Sequence, residues 1–235
     1  VGGIVRATEK CNGSGDCRKT ELSGGTMCPS YMATRNENDV TRARANILRE
    51  FLTSSTQKNP FDHEEIYQVM DLCLSCKACK SECPSNVDVA KLKAEFLQHY
   101  YDAHGVPLRA RLIANITRMN QLGSIWPGLY NFFMKNTLVS GVIKRTIGFA
   151  PSRSMPLLDK QTLRQWMSGY IRHLQNNQSL NGPVYLFNDE FTNYNDTAIG
   201  MKAVQLLTRL GYRVIIPRHI ESGRTYLSKG LVRKA

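Results

Sequence analysis

The chain has 235 residues, of which 42% are hydrophobic, and 31 basic against 19 acidic side chains give it a formal net charge of +12. This length suits one large domain or two smaller ones, and the hydrophobic content argues against intrinsic disorder. The longest apolar run, residues 138–150, is interrupted by Lys144 and Arg145 and is too short to span a bilayer. We therefore expect at most peripheral contact with a membrane.

The cysteine content indicates metal ligation rather than disulfide bonding. The chain has seven cysteines, an odd number that fits a disulfide framework poorly. The N-terminus has no signal-peptide architecture, so we expect a reducing, cytoplasmic location. The high basic charge is typical of nucleic-acid or acidic membrane partners, but anionic thiolate clusters offer a competing explanation. Basic side chains crowd the cysteines, namely Arg6, Lys10, Arg18, Lys19, Lys77 and Lys80.

The first cysteine motif lies in residues 11–29. Cys11 and Cys17 occupy the first and third places of a C-x2-C-x2-C pattern, and Ser14 stands where the second cysteine belongs. Cys28 follows after a longer insert and precedes a proline, as the last cysteine of the second motif does. We interpret this region as an internal repeat that has lost one ligand.

The second motif, residues 73–84, reads Cys-Leu-Ser-Cys-Lys-Ala-Cys-Lys-Ser-Glu-Cys-Pro. This C-x2-C-x2-C-x3-C-P spacing is the bacterial-ferredoxin run, in which three thiolates hold one cluster and the fourth ligates another. Structural zinc favours two separated C-x2-C pairs, so the spacing favours iron and sulfide over zinc.

Helical spacing surrounds both motifs. Residues 39–55 form an amphipathic pattern with Val40 and Leu48 on the apolar face, and we expect Arg44 on or near the polar face. A short helix over residues 63–72 delivers the second motif. Ser85 and Asp88 have the spacing of a capping box before a helix that continues to residue 101.

The fold class predicted from these patterns is mainly α. We expect an α-helical ferredoxin-like domain over residues 1–105 and a helical connecting region over residues 106–180. A partial α/β unit, β-α-β, follows over residues 181–235. An aromatic cluster that includes Trp126 and Phe132 either docks a partner or a membrane face or packs against neighbouring helices, and packing is the preferred interpretation.

Several motifs together resemble the iron–sulfur region of FAD-linked 2-hydroxy-acid oxidoreductases, the D-lactate, glycolate and D-2-hydroxyglutarate dehydrogenase-like proteins. The resemblance rests on Cys11-Asn12-Gly13-x-Gly15-x-Cys17-Arg18, Met27-Cys28-Pro29-Ser30-Tyr31, Thr41-Arg42-x-Arg44-Ala45, the 73–84 run, and Gly223-Arg224 with Ser228-Lys229-Gly230-Leu231. It implies electron transfer from a reduced flavin to an acceptor. The FAD is expected on a flavin domain of the same or a partner chain, so this fragment should not oxidise a hydroxy acid alone.

Cross-ligation between the motifs predicts two ligand sets. Cys28, Cys73, Cys76 and Cys79 form a complete set, for which we expect a [4Fe-4S] cluster. Cys11, Cys17 and Cys83 form an incomplete set, with Ser14 or water at the open place. A [3Fe-4S] cluster, a labile [4Fe-4S] cluster or no cluster are the alternatives there. No residue of this chain needs to act as an acid or base.

The C-terminal region departs from the related proteins, which carry a cysteine just after the first strand and Cys-Cys-Gly after the second. This chain has Glu190 and Glu221-Ser222-Gly223 at those places. A cysteine-ligated site is therefore not expected there. His219 with the two glutamates offers a weaker metal or carboxylate-binding hypothesis at the strand ends. The other histidines, His63, His99, His104 and His173, are expected at the surface or as capping groups.

Two other functions compete with electron transfer. A zinc-stabilised, basic nucleic-acid-binding module would use the cysteines and the charge, but the chain lacks a basic surface interleaved with aromatic side chains. An assembly scaffold with purely structural clusters is the third possibility. Metal analysis separates the zinc module from an iron–sulfur protein, because the first binds zinc and the second iron with sulfide. Reversible reduction of the cluster without unfolding would argue against the scaffold.

Overall fold

The computed structural model of the chain describes residues 3–173 and 181–235. Within these ranges the fold is mainly α-helical with one pair of parallel strands, which confirms the predicted fold class. In chain order the elements are α1 (Gly3–Thr8), α2 (Pro29–Thr34), α3 (Thr41–Ser54), α4 (Glu64–Asp71), α5 (Ala78–Glu82), α6 (Val89–His104), α7 (Leu108–Ala114), α8 (Ile116–Gly123), α9 (Pro127–Lys135), α10 (Thr137–Ile147), α11 (Leu163–His173), β1 (Pro183–Tyr185), α12 (Thr197–Arg209), β2 (Arg213–Ile215) and α13 (Arg224–Ser228). Short 3-10 helices lie at Glu37–Asp39 and Val232–Lys234.

The chain divides into two compact units. Unit 1 comprises residues 1–114 and 223–235, and unit 2 comprises residues 115–222. Each unit has a hydrophobic core of its own. The three-part domain division drawn from the sequence stays a prediction.

The core of unit 1 is built from α3, α4 and α6. Leu48, Ile66, Met70 and Phe96 are fully buried there, at 0% exposure. Burial of such a side chain stabilises a fold by about 1.5–3 kcal/mol relative to leaving it in water. The C-terminal segment joins the same core through Tyr226. These packed helices fix the ends of the loops that carry the cysteines.

Two local predictions about unit 1 are wrong. Arg44 is 1% exposed and lies inside the core rather than on the polar face of α3. It stands four residues from both Val40 and Leu48, so helical geometry places it on the apolar face. The cap of α6 is Asp88 alone, which accepts a hydrogen bond from the Lys91 amide, so Ser85 does not act as the N-cap of a capping box.

Unit 2 contains α8 to α12 and the two strands. The strands β1 and β2 pair in parallel, with Val184 opposite Val214, and α12 connects them as predicted. Met167 and Val204 complete the small core against the sheet. The helix α11 lies in the predicted helical connecting region, whose residues 174–180 are outside the described ranges.

The aromatic cluster of unit 2 is not covered by packing. Trp126 is 71% exposed and Phe132 is 62% exposed, and α9 contributes no buried residue. The preferred interpretation of this cluster as helix packing is therefore wrong for these two side chains. Among the described helices, none combines the length and the apolar character that crossing a membrane requires.

Candidate metal centre

Four of the seven cysteines line one pocket of unit 1. Cys73, Cys76 and Cys79 come from the loop between α4 and α5 and from the first turn of α5. Cys28, the residue immediately before α2, lines the same pocket. Cys28 and Cys79 are 6% and 7% exposed, whereas Cys76 is exposed to solvent. The fold thus brings together the four residues of the first predicted ligand set.

The backbone around these cysteines adopts an uncommon conformation. Cys28, Ser75 and Lys77 have φ angles of 58°, 55° and 63°, in the left-handed region that side chains other than glycine disfavour. Each such residue costs of order 1–3 kcal/mol, and the cost is tolerated where surrounding structure fixes the chain. Pro29 opens α2 directly after Cys28 and sets the direction in which the chain leaves the pocket.

Two helix N-termini meet the buried thiols. The Thr41 amide at the start of α3 donates to Cys28 Sγ at 3.0 Å, and Thr41 Oγ1 lies 2.7 Å from the same sulfur. Burial raises the pKa of Cys28 to about 11, and the contacts with Thr41 and the charge of Arg44 oppose that rise. Burial also raises the pKa of Cys79, and hydrogen bonds from the backbone amides of Val89 and Ala90, at the start of α6, oppose that rise. Amides and helix dipoles so placed favour a thiolate over a thiol once a metal replaces the proton.

A buried cation borders the same pocket. Arg44 donates to the carbonyl of Val69 at 2.9 Å, to the carbonyl of Asp39 at 2.7 Å and to Ser30 Oγ at 3.0 Å. Its Nη2 lies 3.5 Å from Asp39 Oδ1 but has no hydrogen-bond acceptor among the described residues. A cation with an unused buried N–H beside four cysteines suits a group of net negative charge.

A second buried amine holds the cysteine loop from outside the pocket. Lys93 Nζ donates to the carbonyl of Cys73 at 2.7 Å and to that of Asp71 at 3.2 Å. Burial lowers the pKa of Lys93 to about 8. The sequence pattern did not identify Arg44 and Lys93 as buried residues of the site, because a basic residue in a helix is normally expected at the surface. The quoted motif Thr41-Arg42-x-Arg44-Ala45 was the one signal that marked Arg44.

Glu82 ties the two cysteine motifs together. Its carboxylate accepts hydrogen bonds from Lys19 Nζ at 2.7 Å, from the Thr26 amide and hydroxyl at 2.7 Å each, and from the Met27 amide at 3.2 Å. The hydrogen bond from Lys19, with those from Thr26 and Met27, lowers the pKa of Glu82 to about 2. Because Met27 precedes Cys28, this contact anchors the distant cysteine beside the 73–84 run.

The second predicted set is placed differently. Cys11, Cys17 and Cys83 all pack in or against the unit 1 core, and Cys83 ends α5 with its amide donating to the carbonyl of Cys79. Burial raises the pKa of Cys17, and the nearby charge of Cys11 adds to that rise. The side chain of Ser14 is exposed and lies 3.4 Å from an Asp16 oxygen. The lining of the first pocket includes none of these residues.

The donor set has the chemistry that an iron–sulfur cluster requires. In the described ranges, no three His, Cys, Asp or Glu side chains are arranged to bind one metal ion. A cubane takes one thiolate at each of its irons, so its ligand sulfurs surround a volume instead of converging on a point. Four cysteines line one pocket here, with a buried arginine beside them, so the chain supplies the number of thiolates that a cubane takes.

The C-terminal acidic residues make protein contacts. Glu190 is buried and accepts from the Ser222 hydroxyl at 2.8 Å, and Glu221 accepts from the Thr117 hydroxyl. His219 stacks on Phe187 with ring centroids 4.2 Å apart. The histidines of unit 1 pair with local polar groups, His63 with Ser55, His99 with Glu95 and His104 with Asp62. The side chain of His173 lies outside the described part of the chain.

Comparison with known proteins now adds to this geometry. The family model described as "4Fe-4S dicluster domain" matches residues 10–88, a range that contains all seven cysteines. Residues 10–88 are therefore similar to a 4Fe-4S dicluster domain. Both cysteine motifs recognised in the sequence lie within this one match.

Relatives extend the similarity beyond the dicluster domain. D-2-hydroxyglutarate dehydrogenases of Pantoea ananatis and Escherichia coli are 26% and 27% identical to the chain, each over 97% of its length. That of Pseudomonas putida is 27% identical over 94% of the chain. The chain spans about a quarter of these relatives, 26% of each. No solved structure matches it. The resemblance to the iron–sulfur region of FAD-linked oxidoreductases is confirmed.

Proposed function

We propose that this chain is the iron–sulfur electron-transfer region of a FAD-linked dehydrogenase that oxidises a 2-hydroxy acid. One observation carries the proposal: Cys28 lines the same pocket as Cys73, Cys76 and Cys79, although it belongs to the other motif. A zinc module of the C-x2-C type would take two ligands from each of two pairs, whereas here three cysteines come from one run and one from the other motif. The dicluster domain and the dehydrogenase relatives support the same function.

The four pocket cysteines would hold a [4Fe-4S] cluster, which when bound accepts and releases single electrons. Cys28, Cys73, Cys76 and Cys79 supply one thiolate each. The Thr41 amide donates to the Cys28 sulfur, and Arg44 places a positive charge beside it. Hydrogen bonds and charges around cluster sulfurs set the reduction potential, so these groups favour the more negative, reduced state.

A second cluster would be held by Cys11, Cys17 and Cys83. With three thiolates and Ser14 in the fourth place, this site would hold a [3Fe-4S] cluster or a labile [4Fe-4S] cluster. Cys83 of this set follows Cys79 of the first set by one helical turn, and its amide donates to the Cys79 carbonyl. Two clusters with ligands that adjoin in this way would pass electrons in sequence.

The flavin and the substrate belong to a further part of the enzyme. We propose that FAD is bound by a flavin domain of the same or a partner chain. The substrate proposed for that domain is D-2-hydroxyglutarate, after the names of the relatives, with D-lactate and glycolate as the chemically similar alternatives. An assay of the isolated chain with these acids is not expected to show turnover.

Metal analysis tests the proposal directly. The chain is reconstituted anaerobically with iron and sulfide, and iron, sulfide, zinc and the EPR spectrum are measured. Cys28→Ala should lose iron and sulfide equivalent to about one cluster, together with the [4Fe-4S]+ signal after reduction. Ser54→Ala, at the exposed end of α3, serves as the control and should retain both. Colourless protein that binds zinc without sulfide would refute the iron–sulfur function.

A further inference from the structure

A second cavity of unit 1 is strongly basic. Its volume is about 920 Å³, and five cations line it, namely Arg6, Lys10, Lys77, Lys80 and Lys91. We call this cavity the basic groove. It is formed by α1, the cysteine loop, α5 and the first turns of α6. The cysteine pocket described above is a separate cavity that shares one lining residue with it, Lys77.

The charge of the basic groove is only partly neutralised from within. Its two acidic lining residues are already engaged, since Asp88 pairs with Lys77 at 3.7 Å and Glu95 with His99 at 3.3 Å. The four remaining cations, Arg6, Lys10, Lys80 and Lys91, have no ion-pair partner in residues 3–173 and 181–235. Like charges that line one cavity repel one another, and an anionic partner would relieve that repulsion.

The basic groove adjoins the exposed corner of the proposed first cluster. Lys77 follows Cys76 directly, and Cys76 is the one pocket cysteine that is open to solvent. The buried cations Arg44 and Lys93 already supply positive charge close to the thiols. The exposed cations of the groove are therefore not needed for that purpose and can face a binding partner.

The composition of the groove indicates a protein rather than another polyanion. Two partly exposed apolar side chains, Ile4 and Ala7, accompany the cations, as in the apolar centre and charged rim of a protein interface. Its one aromatic residue, Phe61, stacks on His99 at 4.3 Å and is not free to stack on a nucleic-acid base. A concave cavity also fits a protruding acidic loop better than it fits a flat membrane surface.

We propose that the basic groove is the docking site of an acidic electron-acceptor protein that carries a one-electron centre. The proposal rests on the proposed function, because the electron comes from the first cluster. In each encounter the reduced cluster loses one electron and the acceptor centre gains one, and no bond is formed or broken. Charged rims of this kind raise association rates by about 10- to 1,000-fold at low salt.

Oxidised cytochrome b5, an acidic haem protein, is the probe. The reconstituted chain is reduced, mixed with the probe in a stopped-flow instrument, and haem reduction is followed at several salt concentrations. The test variant is Arg6→Glu with Lys91→Glu, two groove residues that lie outside the cysteine run. The control is Lys58→Glu with Lys202→Glu, two exposed lysines outside the groove that change the net charge equally. Benzoquinone, a small neutral oxidant, reports on the cluster alone.

The groove variant should reduce cytochrome b5 at least about tenfold more slowly at low salt, and the control should retain the wild-type rate. All three proteins should react equally with benzoquinone. An equal loss in both variants, or a wild-type rate that does not fall with salt, would overturn the proposal.

Equilibrium binding of cytochrome b5, measured by calorimetry at low salt, tests the docking site independently of electron transfer from the cluster. Wild type and control should bind, and the groove variant should bind about tenfold more weakly. Binding that is the same in all three proteins would overturn the docking site. If a dT oligonucleotide bound more tightly than cytochrome b5, the partner of the groove would be nucleic acid and the proposal of an acidic protein would be wrong. A chain that binds the probe through the groove but holds no reducible cluster would contradict the proposed function and leave the docking site in place.

Discussion

Replacing Arg44 by methionine tests how the buried cation supports the fold. The guanidinium makes three hydrogen bonds, to two carbonyls and a hydroxyl, and pairs with the buried Asp39 at 3.5 Å. Methionine has a similar volume and a similar apolar stem, so the change removes the charge and the donors rather than the packing. Removing one partner of a buried ion pair costs about 3–5 kcal/mol, because the other charge stays buried and unpaired.

The expected loss is therefore about 3–5 kcal/mol in the free energy of unfolding, against about 5–15 kcal/mol for a typical domain. Urea unfolding of the metal-free chain, followed by circular dichroism, measures this change. Arg49→Met on the same helix is the matched control and should stay within about 0.5 kcal/mol of wild type. A loss below about 1 kcal/mol for Arg44→Met would show that the buried pair contributes little and that the reasoning is wrong.

Three further predictions concern the ties around the cysteines and the C-terminal segment. The folded-state pKa of Glu82, about 2, lies below its ordinary value of 4.5, so its contribution to stability is complete above pH 4.5 and is lost as the pH falls towards 2. Glu82→Gln should flatten this part of an acid-unfolding curve, and an unchanged pH dependence would contradict the assignment. Ser14→Cys should supply the missing thiolate and raise the iron and sulfide content of the second site, as seen by metal analysis and EPR; an unchanged cluster content would count against the cross-ligation scheme. Gly230→Ala should lower the unfolding free energy by about 1–3 kcal/mol in a thermal or urea melt, since φ is +73° and the added carbon would overlap the Leu97 Cβ; a wild-type melt would show that the segment can shift away.

The sequence was sufficient for features that depend on local spacing. Three cysteines separated by two residues each, with a fourth before a proline, restrict the type of cofactor independently of the rest of the fold. Apolar residues at helical intervals likewise predicted α3 and α4, because the side-chain period of a helix is a local property. The β-α-β unit was predictable for the same reason, from two short apolar runs around a helical pattern.

Charge was the point at which local reasoning failed. Arg44 was assigned to a polar face because arginine is rarely buried, although its spacing from Val40 and Leu48 indicated the apolar face. Only the fold provides the carbonyls of Val69 and Asp39 that make burial tolerable. The aromatic residues of α9 gave the opposite error. Their number suggested that they pack in a core, but α9 contributes no buried residue.

The sequence by itself determined the two cysteine motifs, and the spacing of the second is that of an iron–sulfur ligand run. Only the tertiary structure decided that Cys28 lines the pocket of the second motif, with Glu82 anchoring the intervening loop and the start of α3 facing the sulfur. The physical reason is distance along the chain. Ligand spacing within a loop is set by the covalent backbone, whereas the approach of two remote loops depends on how the helices between them pack.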